Sequence, residues 1–240
     1  MKNWICCLAA VLFSTIIFSQ KTINDPNAQK RTASGFHAIE VSGGIDLYLS
    51  QGDEAIAVSA ADTKYRDKII TEVKDGVLKI YYEQEDRRFN VDFSWRSRKM
   101  KAYVSAKTLD ALNASGGSDI QIEETFKSDQ FNLEVSGGSD FHGKVDVKML
   151  SAGASGGSDI TISGSAKSIK IDISGGSDFK GSDFVVENCD VEASGGGDVH
   201  ITVNKELSAS ASGASDISYK GTGVIKDKHS SGASSIGKKG

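Results

Sequence analysis

Six aspartates recur in the second half of the sequence at a spacing that could bring their carboxylates together. They follow Ser-Gly-Gly-Ser or a close variant at nearly even intervals, and are Asp119, Asp140, Asp159, Asp178, Asp198 and Asp216. Carboxylates stacked about 5 Å apart, the spacing of neighbouring strands, could bind calcium, which prefers several oxygen ligands. Two of them could also cleave a glycosidic bond, since retaining glycosidases place their catalytic carboxyls about 5 Å apart.

Both chemical hypotheses meet objections in the same pattern. Each repeat supplies one carboxylate, whereas calcium takes about six to eight oxygens, and the spacing is about double the nine-residue period of calcium-binding β-rolls. A glycosidase needs two carboxyls in different environments, whereas a regular ladder on an exposed edge makes its members alike. We therefore favour a structural role, in which serine and aspartate oxygens accept hydrogen bonds from nearby backbone N–H groups in a turn.

A second candidate site lies at residues 87–99, which read RRFNVDFSWRSRK. Arginines are mixed here with aromatic residues, and such a mixture can stack on a ligand or bind an anion. A twisted hairpin with a solvated cationic face is the alternative. The candidate residues of this patch are Arg87, Arg88, Trp95, Arg96 and Arg98.

The remaining reactive residue types form no recognisable catalytic or metal-binding motif. His142 and His200 take the same place in the repeat but lie three repeats apart, about 14 Å at strand spacing. The formal net charge of -4 argues against nucleic acid as a partner, because phosphate binding needs a concentrated basic surface. We expect no catalytic residue, no metal and no cofactor.

The elements that position the aspartates follow from the repeat itself. Steps of about 19 residues match one coil of a parallel β-helix, and apolar residues alternate with polar ones on both sides of the motif, as in strands with one buried face. The inward columns include Leu112, Leu133, Ala152, Ile171, Val191 and Ala209 before the corner, and Ile120, Phe141, Ile160, Phe179, Val199, Ile217 and Ile236 after it. The sequence predicts an all-β protein, a right-handed parallel β-helix of about 19 residues per coil.

The glycines and one cysteine give two further expectations, one about the turn at each Ser-Gly-Gly motif and one about which side chains face the core. The two residues after the first serine of the motif often need positive φ, which glycine accepts, and we expect it at Gly156 and Gly175. Cys189 falls in an inward column with Phe131, Leu150, Ile169 and Leu207, so its thiol should face the core.

The chain divides into a short leader and two β parts. Residues 1–19 read as a signal peptide, because Lys2 precedes an uncharged run from Trp4 to Phe18 that is too short to span a bilayer. We expect a linker at 20–30, an irregular, partly antiparallel β part at 31–110, the regular β-helix at 111–236 and a polar tail at 237–240. The motif Lys-Asp-Gly at 74–76 signals a hairpin, and Lys238 and Lys239 should discourage edge-to-edge stacking.

The order of motifs resembles a known family. FHAIEVSGGIDLYLSQGD at 36–53 and VKDGVLKIYYE at 73–83, followed by the SGGSD repeats, are similar to the putative autotransporter adhesin head domains, or GIN domains, of exported bacterial proteins. The resemblance covers about residues 31–225. It implies a β-helix-like fold in a secreted or cell-envelope protein and carries no established catalytic residue.

Two functions follow as alternatives. The first is a non-enzymatic, adhesin-like envelope protein that binds a protein or glycan, exported to the periplasm, the outer surface or the medium, with no membrane span after the leader. The second is a carbohydrate-binding or carbohydrate-active β-helix. A groove lined by Trp95, Tyr81, Tyr82 and Tyr103 would favour the second, whereas burial of these rings in the first half's core would favour the first.

Overall fold

The computed structural model describes residues 24–83 and 98–239, together with the backbone of 16–18 and 21–23. The predicted signal peptide and the 87–99 patch therefore lie largely outside the described residues. The described chain is almost entirely β-strand, and none of its helices is long and apolar enough to cross a membrane. A parallel β-solenoid of about seven turns, with about 19 residues per coil, is its main feature.

Five long strands form the regular part of the solenoid, as the repeat predicts. They are β12 (Phe126–Ser136), β13 (Phe141–Ser155), β14 (Asp159–Ile173), β15 (Asp178–Ala193) and β16 (Asp198–Ala211). Each pairs in parallel with the next, so that equivalent residues of successive repeats stack in register. Two shorter strands, β10 (Ala111–Ser115) and β11 (Ile120–Ile122), form the coil before them.

The inward columns form one narrow apolar core. Phe141, Phe179 and Val199 are fully buried, and Phe141 is paired with Ile160 and Ile160 with Phe179 in adjacent coils. Cys189 pairs with Ile169 on one side and Leu207 on the other and is 5% exposed, which confirms the predicted register. Burial, and to a smaller extent Asp190, raises the pKa of the Cys189 thiol to about 12.

The N-terminal part continues the solenoid and then covers its first coil. Strands β4 (Ala38–Ser42) and β5 (Ile45–Gln51) pair in parallel with β10 and β11 on one side, and with β8 (Val77–Tyr82) and β9 (Met100–Ala106) on the other. Antiparallel pairing joins β3 (Gln29–Arg31) to β6 (Ala55–Ser59), β6 to β9, and β7 (Ile69–Lys74) to β8. The expected partly antiparallel N-terminal part is confirmed.

Local signals explain the connections in this part. Asp75 and Gly76 both have positive φ, of 52° and 76°, which is the geometry of a tight turn between β7 and β8 and confirms the hairpin at Lys-Asp-Gly. The one-turn helix α1 (Thr63–Arg66) begins after Asp62, whose carboxylate accepts the Lys64 N–H at 2.9 Å.

Strands β1 (Ile16–Phe18) and β2 (Lys21–Ile23) form a separate antiparallel pair.

The strands of the last coils are short. They are β17 (Asp216–Lys220), β18 (Val224–Ser230) and β19 (Ser235–Lys238). Strand β18 pairs with β16, and β19 pairs with β17, again in parallel. Strand β19 includes Gly237 and Lys238, so the last strand runs into the segment expected to be a polar tail.

Candidate functional site

The corner of each coil is built around the first glycine of the motif. This glycine has positive φ in every repeat of the described chain, and both Gly156 and Gly175 have φ of 74°, as predicted. The second glycine differs: Gly138 and Gly157 have positive φ, but Gly176 does not. The expectation that both residues after the serine need positive φ is therefore right only for the earlier coils.

The second serine of the motif holds neighbouring coils together. Ser118, Ser139, Ser158, Ser177 and Ser215 are fully buried, although they follow a solvent-exposed turn. Ser158 Oγ accepts the N–H groups of Gly138 and Ser139 in the preceding coil, both at 3.2 Å. We expected these oxygens to accept N–H groups within their own turn, but none of the five does so, and Ser215 instead donates its hydroxyl to Ser212 O at 3.0 Å within the turn. The expectation failed because the buried hydroxyl lies closer to the unpaired N–H groups of the preceding corner.

The aspartates form a second ladder that runs in the opposite direction. Each Oδ1 atom accepts the backbone N–H of the aspartate in the following coil. The bonds are Asp140 N to Asp119 (3.1 Å), Asp159 N to Asp140 (3.0 Å), Asp178 N to Asp159 (3.2 Å), Asp198 N to Asp178 (3.0 Å) and Asp216 N to Asp198 (3.3 Å). Ser235 Oγ ends the ladder by donating to Asp216 Oδ1 at 2.6 Å.

Charges along the aspartate ladder are partly balanced by the protein itself. The Lys180 ammonium contacts the carboxylate of Asp159 and lies 3.4 Å from that of Asp178. At the N-terminal end the repulsion remains: burial, followed by the neighbouring Asp119, raises the pKa of Asp46. Partial desolvation raises the pKa of the exposed Asp119; the backbone N–H of Asp140 opposes this rise, and the negative charge of Asp140 adds to it.

The ladder gives its carboxylates the same hydrogen-bonding role. From Asp119 to Asp216, one oxygen of each is already occupied by a backbone N–H or, at the end, by a hydroxyl. Within residues 24–83 and 98–239, no group of three or more His, Cys, Asp or Glu side chains is placed to hold a metal ion. Such an arrangement can fix the register between coils, because each carboxylate accepts a hydrogen bond from the coil that follows it.

The arginine and aromatic patch is described at one candidate residue. Arg87, Arg88, Trp95 and Arg96 lie outside the described residues. The Arg98 guanidinium carbon lies 4.8 Å from the centre of the Tyr82 ring and 5.4 Å from that of Tyr65, within the range of a cation–π interaction. Arg98 therefore packs on aromatic rings of the N-terminal part.

Tyr81, Tyr82 and Tyr103 are half-buried, and each has its own partners. The Tyr81 hydroxyl donates to Glu72 at 3.1 Å, and the Tyr103 hydroxyl donates to Asp25 at 2.9 Å. The Tyr103 ring stacks on Tyr48 with ring centres 5.2 Å apart, and burial together with the Asp25 hydrogen bond raises the pKa of Tyr103. These contacts use the tyrosines to hold strands together.

A groove that sequence reasoning missed runs along one flank of the first coils. Its volume is about 840 Å³, and the ionisable residues in its lining are His37, Asp110, Lys127, Asp129, Asp146 and Lys148. His37 Nδ1 lies 3.0 Å from Asp110, and Lys148 lies 2.8 Å from Asp129. The sequence carries a signal for this groove, because His37 and Asp110 take the column that later coils fill with Phe131, Leu150, Ile169, Cys189 and Leu207.

Solved structures with the same fold come from species of Bacteroides and Parabacteroides. A putative adhesin from Bacteroides fragilis NCTC 9343 has a TM-score of 0.79 at 20% identity, over 88% of this chain and 95% of that one. A putative adhesin from Parabacteroides merdae ATCC 43184 has a TM-score of 0.68 at 19% identity, over 89% and 95%. A protein described as a putative lipid binding protein, from Parabacteroides distasonis ATCC 8503, has a TM-score of 0.68 at 21% identity, over 89% and 96%.

Family membership follows from the sequence match and not from these distant folds. No functionally curated protein matches the chain. The model of one protein family matches residues 35–223, which include all six ladder aspartates and the groove. The chain belongs to that family, which is described as "Putative auto-transporter adhesin, head GIN domain".

Proposed function

We propose that this chain is an exported, non-enzymatic protein of the cell envelope that binds a partner through the polar flanks of its solenoid. The observation that carries the proposal is the uniform use of the repeat. Ladder carboxylates and buried serine hydroxyls accept backbone N–H groups of neighbouring coils, so the most regular polar residues serve the fold. The adhesin description of the family supports the same role.

The groove is the surface that we propose for the partner. It is concave, and its lining alternates acidic and basic side chains, with Asp129 and Asp146 beside Lys127 and Lys148. Lys148 and Asp129 are about three-quarters exposed, so both are accessible to a partner. A lining with charges of both signs fits the polar surface of a protein better than an apolar ligand.

Carbohydrate binding receives less support. Sugar recognition by stacking needs an open aromatic face, whereas Tyr82 is covered by Arg98 and Tyr103 stacks on Tyr48. Within the described residues, Tyr81, Tyr82 and Tyr103 contact separate neighbours, Glu72, Arg98 and Asp25, and do not line one groove. A protein partner at the cell envelope is therefore the function that we propose.

Affinity capture with the purified protein tests this function. We expect the wild type to retain a specific envelope protein from the surface fraction of a bacterium or its host, and we expect Lys127→Glu/Lys148→Glu to lose it. The matched control is Lys226→Glu/Lys239→Glu, which makes the same change in charge on the last coil. Equal retention by the groove variant would exclude the groove, and the absence of any specific protein, with binding on a glycan array instead, would contradict the proposed partner class.

A further inference from the structure

The last coil of the solenoid differs from earlier coils in the side chains that point inward. Residues paired in register on parallel strands point to the same side of the sheet. Lys228 on β18 pairs with Ala209, and Lys238 on β19 pairs with Tyr219. Ala209 is 3% exposed and Tyr219 is 6% exposed, so both belong to the core. Lysine thus occupies two inward-facing positions that hold apolar or aromatic residues in the preceding coil.

Lys228 reaches across the interior of this coil. Its ammonium group donates to the backbone carbonyl of Ile236 on β19 at 2.7 Å. To connect the two strands, the aliphatic part of Lys228 must extend over the core residues beneath, as long cationic side chains commonly do. Ile236 is only 6% exposed, although it lies in the last coil.

The strands of this coil are otherwise open to pairing. Within the described part of the chain, β18 pairs only with β16, and β19 only with β17, which leaves one edge of each strand unpaired. Every residue of β18 is exposed, including Val224 at 64% and Ile225 at 38%. An exposed edge strand with apolar residues accepts further strands unless charged or inward-pointing side chains prevent it.

The opposite end of the solenoid is covered by different means. There, the antiparallel strands β3, β6 and β7 lie beside the first parallel coils. At the last coil no such cover is made by the described residues, and an added strand would instead bury the Lys228 and Lys238 ammonium groups in an apolar column. Burial of a charge that has no counter-ion is strongly unfavourable.

We propose that Lys228 and Lys238 close the last coil against a second copy of this chain. Without them, the exposed edges of β18 and β19 would pair with the same edges of another molecule around a two-fold axis. The lysines thus keep the protein a monomer and leave its flanks as the surfaces available to partners. This closure is independent of what the groove binds.

Sedimentation velocity over a wide range of concentration tests the closure. We expect the wild type to remain a monomer and Lys228→Leu/Lys238→Leu to form a dimer of about twice the mass as the concentration rises. The control Lys226→Leu/Lys239→Leu removes the same charge from the same coil, but Lys226 points outward, where it pairs with Glu206. This control should remain a monomer.

Three results would overturn the proposal. They are a folded double variant that stays monomeric, a control that dimerises equally, and a dimer in which hydrogen exchange at the β18 amides is not slowed. If the double variant does not fold, Lys228→Ala replaces it, because alanine already occupies this column at Ala152 and Ala209. It should dimerise more weakly than the double variant would, and a monomer at every concentration would again refute the closure.

Discussion

Ser177 Oγ lies one coil beyond Ser158 and accepts two backbone N–H groups of that coil, from Ser158 at 3.0 Å and from Gly157 at 3.1 Å. A few atoms away, Asp159 Oδ1 accepts the N–H of Asp178 from the coil that contains Ser177. Successive corners are therefore joined in both directions by side chains of one short motif. The repeat is retained because each corner satisfies the backbone of its neighbours.

The serine half of this arrangement can be tested by truncation. Ser177→Ala leaves two N–H groups without their acceptor, and the Ser158 N–H is buried, so we expect a loss of about 1–3 kcal/mol in the free energy of unfolding. Urea unfolding measures the loss. The control is Ser155→Ala, the first serine of a motif, whose side chain makes no hydrogen bond to another described residue; it should change stability by less than about 0.5 kcal/mol. Equal effects would show that the hydroxyl ladder does not hold the coils together.

Gly175 and Gly176 are adjacent glycines of one motif with different backbone conformations, so each serves as a control for the other. Gly175 has φ of 74°, and a Cβ there would lie 3.2 Å from Gly156 N, whereas Gly176 lacks positive φ and a Cβ there would meet nothing within 4 Å. We expect Gly175→Ala to cost about 1 kcal/mol or more, and Gly176→Ala to be neutral or slightly stabilising. Melting temperatures of the two variants provide the comparison. A similar loss in both would mean that backbone geometry does not determine the choice of glycine.

Much of the fold could be predicted because the repeat encodes it directly. Alternating apolar residues at fixed distances from the corner identified the columns of Phe141 and Cys189, and both are buried as expected. The antiparallel pairing of β6 with β9 joins strands on either side of the β7–β8 hairpin, and no local signal specifies it. The expected partly antiparallel character was right, but its partners depend on long-range packing.

The corner chemistry was harder to predict, because hydrogen bonds between coils join atoms that are a full coil apart in the sequence. The sequence drew attention to the aspartates and to the first serine, whereas the buried second serine also accepts backbone N–H groups of the preceding coil. The groove at His37 and Asp110 was missed for a related reason. His37 and Asp110 are polar residues in a column that is otherwise apolar, which indicates that the first coils differ from the later ones. Only the folded structure shows that the two residues line a groove.

Two substitutions at Asp140 separate the effect of its negative charge from the effect of the hydrogen bond that it accepts. Asparagine at position 140 keeps an oxygen for the Asp159 N–H and removes the charge beside Asp119. We expect Asp140→Asn to match the wild type in stability and to lower the pKa of Asp119, measured by NMR titration. Asp140→Ala removes the acceptor as well and should cost about 0.5–1.5 kcal/mol. If Asp140→Asn lost as much stability as Asp140→Ala, the negative charge itself would be required for stability.

Glu134 predicts a dependence of stability on pH. Glu134 is exposed at the surface, and partial desolvation beside neighbouring strands, followed by the negative charge of Asp172, raises its pKa in the folded protein. The folded state therefore binds more protons than the unfolded state between the two pKa values, so this residue's contribution to stability decreases as pH rises through that range. Glu134→Gln removes the ionised form and should be more stable than the wild type at neutral pH.

The difference between these two proteins should disappear on acidification. Below the ordinary glutamate pKa of about 4.3, Glu134 is protonated in both the folded and the unfolded state. Urea unfolding at neutral and acidic pH measures the difference at each end of the range. A glutamine variant that is less stable than the wild type at neutral pH would show that the Glu134 carboxylate makes a favourable contact when charged.

Calcium dependence of the melting temperature tests most directly whether the corners are structural. A ligand that binds the folded state raises its stability by mass action, so a calcium site on the ladder would raise the melting temperature in millimolar calcium relative to a chelator. Asp159→Asn/Asp178→Asn keeps both Oδ1 acceptors and removes both charges, which Lys180 already partly balances. We predict little change with calcium in the wild type or in this variant. A clear rise in the wild type that is lost in the variant would contradict the structural account and make the ladder a cation site.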